Sequence, residues 1–159
     1  MLKIGSGAGF SGDRLEPATD LAKNVDLDYL VLECLAERTI AIAQRTRKHD
    51  PSKGYDPLLE ERMYTLLPLL NEKKFKIISN MGAANPLGAG KKILEIAKEL
   101  GISCKVAIVL GDEVMHLVDS HQQILENDKK VKDFETIISA NAYIGAEALL
   151  PAINSGADI

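Results

Sequence analysis

The chain has only two cysteines, Cys34 and Cys104, and their separation matches no metal-ligand spacing. Nothing like an export signal precedes Met1-Leu2-Lys3-Ile4, which reads as the entry to a strand. Both thiols are therefore expected to be reduced, buried and structural, in a cytoplasmic protein. An excess of positive charge is also missing. The formal net charge is −4, which leaves no clustered basic face for a nucleic acid, although a local basic pocket could still take an acidic small molecule. Long apolar runs are absent too. Stretches such as Tyr29 to Leu32 and Val106 to Leu110 are far too short to cross a bilayer, so no membrane partner is expected. Histidines number three. Asp112, His116 and Asp119 would share one face of a helix, but with no second histidine at helical spacing an exposed polar face is expected there, and no metal.

The 159 residues are 46% hydrophobic and 26% charged, enough for one domain with its own core. Short apolar runs alternate with longer helical patterns. Strands are predicted at residues 2–5, 28–33, 76–80, 104–111 and 136–143. Helices are predicted at 35–47, 58–74 (kinked or interrupted at Pro68), 112–126 and 146–154. A further helix runs from the Asn85-Pro86 cap to Gly101. The predicted fold class is α/β, a mostly parallel sheet with helices on both faces in three Rossmann-like layers, and an arc of a βα barrel is the alternative. A single domain spans 1–159. Ala157-Asp158-Ile159 resembles the opening of another strand, so the expectation is an N-terminal part of a larger protein, incomplete at this end.

Open parallel sheets bind ligands beyond the carboxyl ends of their strands. Read at those positions, the sequence offers Gly7, Gly9, Gly12, Asp13 and Arg14 after the first strand, and Glu33 and Arg38 after the second. Asn80, Gly82 and Asn85 follow the third, Gly111 and Asp112 the fourth, and Asn141 lies near the fifth. Five such loops together predict one shared cleft for a small anionic ligand, with Glu33, Asn80 and Asp112 as candidate catalytic residues. Gly7-Ala8-Gly9-Phe10-Ser11-Gly12 fits G-x-G-x-x-G, and Glu33 falls where a ribose-binding acid would sit. Against a dinucleotide, Pro17 puts the helix start several residues late. Anion contact and a plain tight turn stay open as readings of that loop. Asn85 reads first as a helix cap, Asn80 equally as ligand or loop support, and Arg14 and Arg38 as carboxylate forks or solvated surface. Cys34 as a nucleophile is a minor alternative.

GSGAGFSGDRLEPA, DYLVLECLAERTIAIAQ, GYDPLLEERM, NMGAANP and ANAYIGAEALLPAINSGADI together resemble the acyclic terpene utilisation family, once a domain of unknown function. The resemblance covers essentially the whole chain, and members of that family continue beyond the stretch matched here. It implies a role in catabolism of acyclic terpenes or branched acids through acyl-coenzyme A intermediates. A coenzyme A thioester is then the expected substrate, with no other cofactor indicated. Expected partners are a small-molecule ligand, a second copy of the chain, or acyl-CoA-processing subunits. Three functions stay open: an enzyme or enzyme subunit acting on acyl-CoA or a branched carboxylate, a non-catalytic ligand-binding or scaffold subunit, and, more weakly, an NAD(P)-dependent oxidoreductase.

Overall fold

Leu30 and Leu32 alternate with Tyr29 and Val31, and the two leucines are fully buried while their neighbours are half-buried. This is the period of a strand with one face on a core. The computed structural model describes residues 1–159 and contains three strands, β1 (Ile4–Ala8), β2 (Tyr29–Leu32) and β3 (Lys76–Ser79). They form a parallel sheet in the order β1-β2-β3, with Ile4 opposite Tyr29 and Tyr29 opposite Lys76. The helices are α1 (Glu16–Asn24), α2 (Glu37–His49), α3 (Leu59–Lys73), α4 (Pro86–Glu99) and α5 (Leu150–Asn154). The fold is α/β, with the parallel sheet and layered helices that the sequence predicts.

One core joins Leu30, Leu32 and Ile77 of the sheet to Ala18 and Ala22 of α1, to the Met63–Leu67 face of α3, and to Ile93 and Ile96 of α4. On the opposite face, Val31 and Ile78 share a depression with Ala146, Ala148 and Leu149, just before α5. Helix α2 lies across the carboxyl ends of the strands, where its Ala43 packs with Ala83 and Ala84. Helix α4 begins as predicted: Asn85 Oδ1 accepts from Gly88 N–H at 3.0 Å, and Pro86 occupies the first turn. It stops before Gly101, which adopts φ +67°. Helix α3 runs unbroken through Pro68 because its buried stripe holds it against the sheet.

Four predictions need correction. The first strand is Ile4–Ala8, not 2–5. Its later half is glycine-rich, which hid the strand pattern, and Gly7 is there because a side chain would collide with α1: a Cβ would lie 2.8 Å from Ala18 Cβ and 2.9 Å from Leu32 Cδ2. Residues 104–111 form no regular strand, because a strand needs a ladder and only Asp158 and Ile159 bond to Lys105 and Ala107. Residues 136–143 form no strand either; Asn141 alone makes an antiparallel bridge, to Glu113. The helix predicted at 112–126 is replaced by irregular backbone with one 3-10 turn at Met115–Leu117. Val114 and Val118 are poor helix formers, and antiparallel bonds take over the backbone, Val114 N–H to Ala140 O and Ala142 N–H to Asp112 O. The polar face of Asp112, His116 and Asp119 therefore does not exist as a helical face.

Candidate site at the carboxyl ends of the strands

Asn80, one residue past β3, ties two strand ends together. Its Oδ1 accepts from Cys34 N–H at 2.6 Å, and its Nδ2 donates to Glu33 Oε1 at 2.9 Å. Glu33 Oε1 also accepts from Leu35 N–H, while Glu33 N–H donates to Ala8 O at the end of β1. A short connection at each strand end thus places a carboxylate and a carboxamide side by side. An amide nitrogen carries two protons, and Glu33 uses one, so Asn80 keeps a second N–H.

A parallel arrangement stands across the cleft. Gln44 Nε2 of α2 donates to Asn141 Oδ1 at 3.1 Å, and Asn141 Nδ2 donates to Asp112 Oδ2 at 2.9 Å. Here too one amide proton remains. Tyr143 donates its hydroxyl to Glu37 at the start of α2. That bond holds the Glu37 carboxyl below the usual range and raises the phenol. Asn80, Gly82, Asp112 and Asn141 line one cleft of about 590 Å³. Its walls at this end are apolar: Leu35, Ile40, Met81 and Ile144. Its only basic lining residue is Lys76, whose Nζ is taken by Ala157 O at 2.7 Å.

The remaining predicted residues lie elsewhere. Glu33 borders the adjoining depression, which it shares with Asn80. Residues 7–14 do not line the cleft, so the single cleft expected from all the loops is not formed. The loop is turned in on itself, since the Asp13 carboxylate accepts from Gly9 N–H at 3.0 Å and from Arg14 N–H at 2.9 Å. The Gly9 bond, foremost, holds the Asp13 carboxyl below its ordinary value. Asp13 thus occupies the place that an anion would take. Gly12 serves backbone geometry, at φ +96°, and α1 starts only at Glu16. Gly111 is likewise a positive-φ turn, at +123°. Arg14 and Arg38 are exposed and line neither the cleft nor the depression. Asn85 uses its oxygen on Gly88 and its nitrogen on the carbonyls of Pro51 and Lys53, which makes it a cap that also pins a turn.

Sequence reasoning missed Arg62, Asp56, Ser11, Gln44 and Tyr143. Arg62 sits on α3 at 1% exposure, where a charged residue in a helix pattern reads as surface. Its Nη2 donates to Asp13 O at 2.8 Å and its Nη1 to Cys34 Sγ at 3.0 Å, while Nε has no partner. Ser11 donates to Asp56 at 2.6 Å and joins the glycine loop to the start of α3. Burial pushes the Cys34 thiol up to about 11, so Cys34 is no thiolate nucleophile at neutral pH.

These features define an open parallel α/β protein of the layered kind, with carboxamides and carboxylates gathered at the carboxyl ends of its strands. A family model described as acyclic terpene utilisation family protein AtuA matches residues 2–159, and the chain belongs to that family. No curated protein and no solved structure matches it. No helix is long and apolar enough to cross a membrane.

Proposed function

We infer that the cleft mouth binds the carbonyl of a branched-chain acyl thioester. The observation that carries this reading is the pair of fixed carboxamides, Asn80 and Asn141, each with one amide proton left and each locked by its own network. Donors held in advance stabilise charge developing on a carbonyl oxygen without reorganising. A methyl-branched chain suits the apolar wall of Leu35, Ile40, Met81 and Ile144. Charge separates the thioester from the free acid. Glu37 and Asp112 line the mouth, Glu33 stands beside it, and the one lysine is engaged. A carboxylate would meet like charge there, whereas a thioester carbonyl is itself uncharged and the phosphates of coenzyme A stand a pantetheine arm away from it.

Glu33 favours chemistry over binding alone. Both of its hydrogen bonds fall on Oε1, which leaves Oε2 to take a proton from the carbon next to the thioester carbonyl. The C–H electron pair then becomes the carbon–carbon π bond of an enolate as the carbonyl π pair moves onto oxygen, where the amides hold the charge. The test compares a methyl-branched acyl-CoA with the matching free acid by calorimetry. It then follows exchange of the α-proton in deuterium oxide. Binding of the acid as tight as the thioester overturns the carbonyl reading. Binding without exchange, unchanged by Glu33→Gln, leaves a ligand-binding subunit in place of an enzyme.

A further inference from the structure

Helix α2 is the most basic element of an acidic protein. The chain carries 23 acidic and 19 basic side chains, yet α2 holds Arg38, Arg45, Arg47 and Lys48 against Glu37 alone. Arg47 is engaged with the body of the protein: its Nη1 donates to Ala84 O at 2.6 Å and stands 3.8 Å from Glu113. Arg38, Arg45 and Lys48 are exposed, and none of them has an ion-pair partner within the protein. The one carboxylate of the helix, Glu37, accepts from the Tyr143 hydroxyl.

Arg38, Ala41, Arg45 and Lys48 follow one another at intervals of three, four and three, which puts them on one face of the helix. Ala41 also lines the cleft, as Glu37 and Ile40 do, and Gln44 one turn on holds Asn141. The basic stripe therefore borders the cleft side of α2, and it follows the helix axis for roughly 15 Å. Like charges three residues apart, as at Arg45 and Lys48, work against a helix. An anion lying between them reverses that sign. Three cations are too few for a nucleic acid, which asks for a wide basic face. They suit a small phosphorylated head group, because guanidinium forks take phosphate oxygens in pairs and a lysine adds a point charge.

We propose that Arg38, Arg45 and Lys48 bind the phosphates of a nucleotide head group, so that coenzyme A, and not a protein-borne pantetheine, carries the acyl chain. The acyl end of this ligand rests on the thioester reading, while its nucleotide end rests on the stripe alone. Charge sorts the two ends. Glu37 and Asp112 at the mouth repel phosphate from the carbonyl site, and the stripe receives it along the rim.

The experiment titrates the two ends of the ligand separately by calorimetry. Adenosine 3′,5′-bisphosphate is the nucleotide end without the arm, and a methyl-branched acyl pantetheine is the acyl end without the nucleotide. Each is added to the parent chain and to the double variant Arg38→Gln, Arg45→Gln. Both residues are exposed, so the two proteins should melt together. The nucleotide should bind the parent, weaken as salt rises, and lose about tenfold or more in the double variant. The acyl pantetheine should bind both proteins alike. No nucleotide binding, or binding that the substitutions leave unchanged, overturns the stripe. Inorganic pyrophosphate bound as tightly as the nucleotide also overturns it, because the stripe is then an unspecific anion surface. Acyl pantetheine bound without the nucleotide overturns the stripe and leaves the carbonyl reading standing. Nucleotide bound through the arginines, with no binding of acyl pantetheine, does the reverse.

Discussion

Arg62 donates from Nη1 to the sulfur of Cys34 at 3.0 Å, and both side chains are at least 98% buried, at 1% and 2% exposure. The same guanidinium reaches the carbonyl of Asp13. One α3 residue thus anchors the ends of β1 and β2 from beneath. No carboxylate lies within ion-pairing distance of it, and its Nε is unpartnered. Its volume and its two bonds hold the loops, while its charge is a cost.

Arg62→Ala is expected to lose about 2–4 kcal/mol of stability through the cavity and the two lost bonds. Arg62→Met keeps most of the volume and removes the buried charge, so it should lose no more than about 1 kcal/mol. Urea unfolding measures both. Equal losses would show that the guanidinium bonds, and not the packing, hold the loops.

Cys34 should be nearly inert in the folded protein. A thiol raised from 9.0 to about 11 carries about a hundredfold less thiolate at pH 8, and burial removes access besides. Iodoacetamide at pH 8 should modify it only after unfolding. The sign for stability follows. Unfolded thiol ionises first, so this contribution is complete below about pH 9 and is lost as pH rises toward 11. Fast labelling of native Cys34 at pH 8 contradicts the burial argument.

Asn80→Ala removes the acceptor for Cys34 N–H and the donor to Glu33. A stability loss of about 1–2 kcal/mol is expected. Thioester affinity should fall about tenfold, equal to about 1.4 kcal/mol. Asn141→Ala on the opposite side should weaken binding similarly. If both variants bind as the parent does, the amides play no part in recognition.

The glycine loop offers a contrast within three residues. Gly7→Ala forces a Cβ to 2.8 Å from Ala18 Cβ and should cost about 1–3 kcal/mol. Gly9→Ala meets nothing nearer than Asp13 Oδ2 at 3.9 Å and should be close to neutral. Thermal melts of the two decide whether these glycines serve packing or the backbone turn.

Asp13 acts as the loop's own anion. Its carboxyl is held low by Gly9 N–H, so its contribution is present above the ordinary carboxylate pKa near 3.8. It is lost as pH falls through the lower folded value. Inorganic phosphate should leave the Gly9 amide resonance unmoved in the parent protein and shift it in Asp13→Ala. A shift of equal size in both means the site is open to anions as it stands.

Much of the fold was legible because local signals and tertiary outcome coincide. The Asn85-Pro86 cap, the stop before Gly101, the late start of α1 and the apolar cores of β2 and β3 each arise from neighbours in the chain. The late helix start that counted against the apparent dinucleotide fingerprint is real, and its first glycine, Gly7, lies inside β1 packed against Ala18. Asp112 and Asn141 were legible as loop polar residues, although the strands expected before them do not form. Gln44, which holds Asn141 in place, reads in sequence as one more polar position on a helix.

By itself the sequence determined an α/β fold with a parallel sheet and polar residues just past β2 and β3, because hydrophobic period and helix caps act over a few residues. Tertiary structure alone decided which strand ends share a cleft, that Arg62 is buried, and that residues 112–126 are not helical. It also decided that residues 104–111 stay irregular, with Asp158 and Ile159 between them and β3. Each of these depends on partners far away in the chain: Cys34 for Arg62, Ala140 for Val114, and Ile159 for Ala107. A backbone group takes whichever partner the whole fold brings to it, and no local pattern encodes that choice.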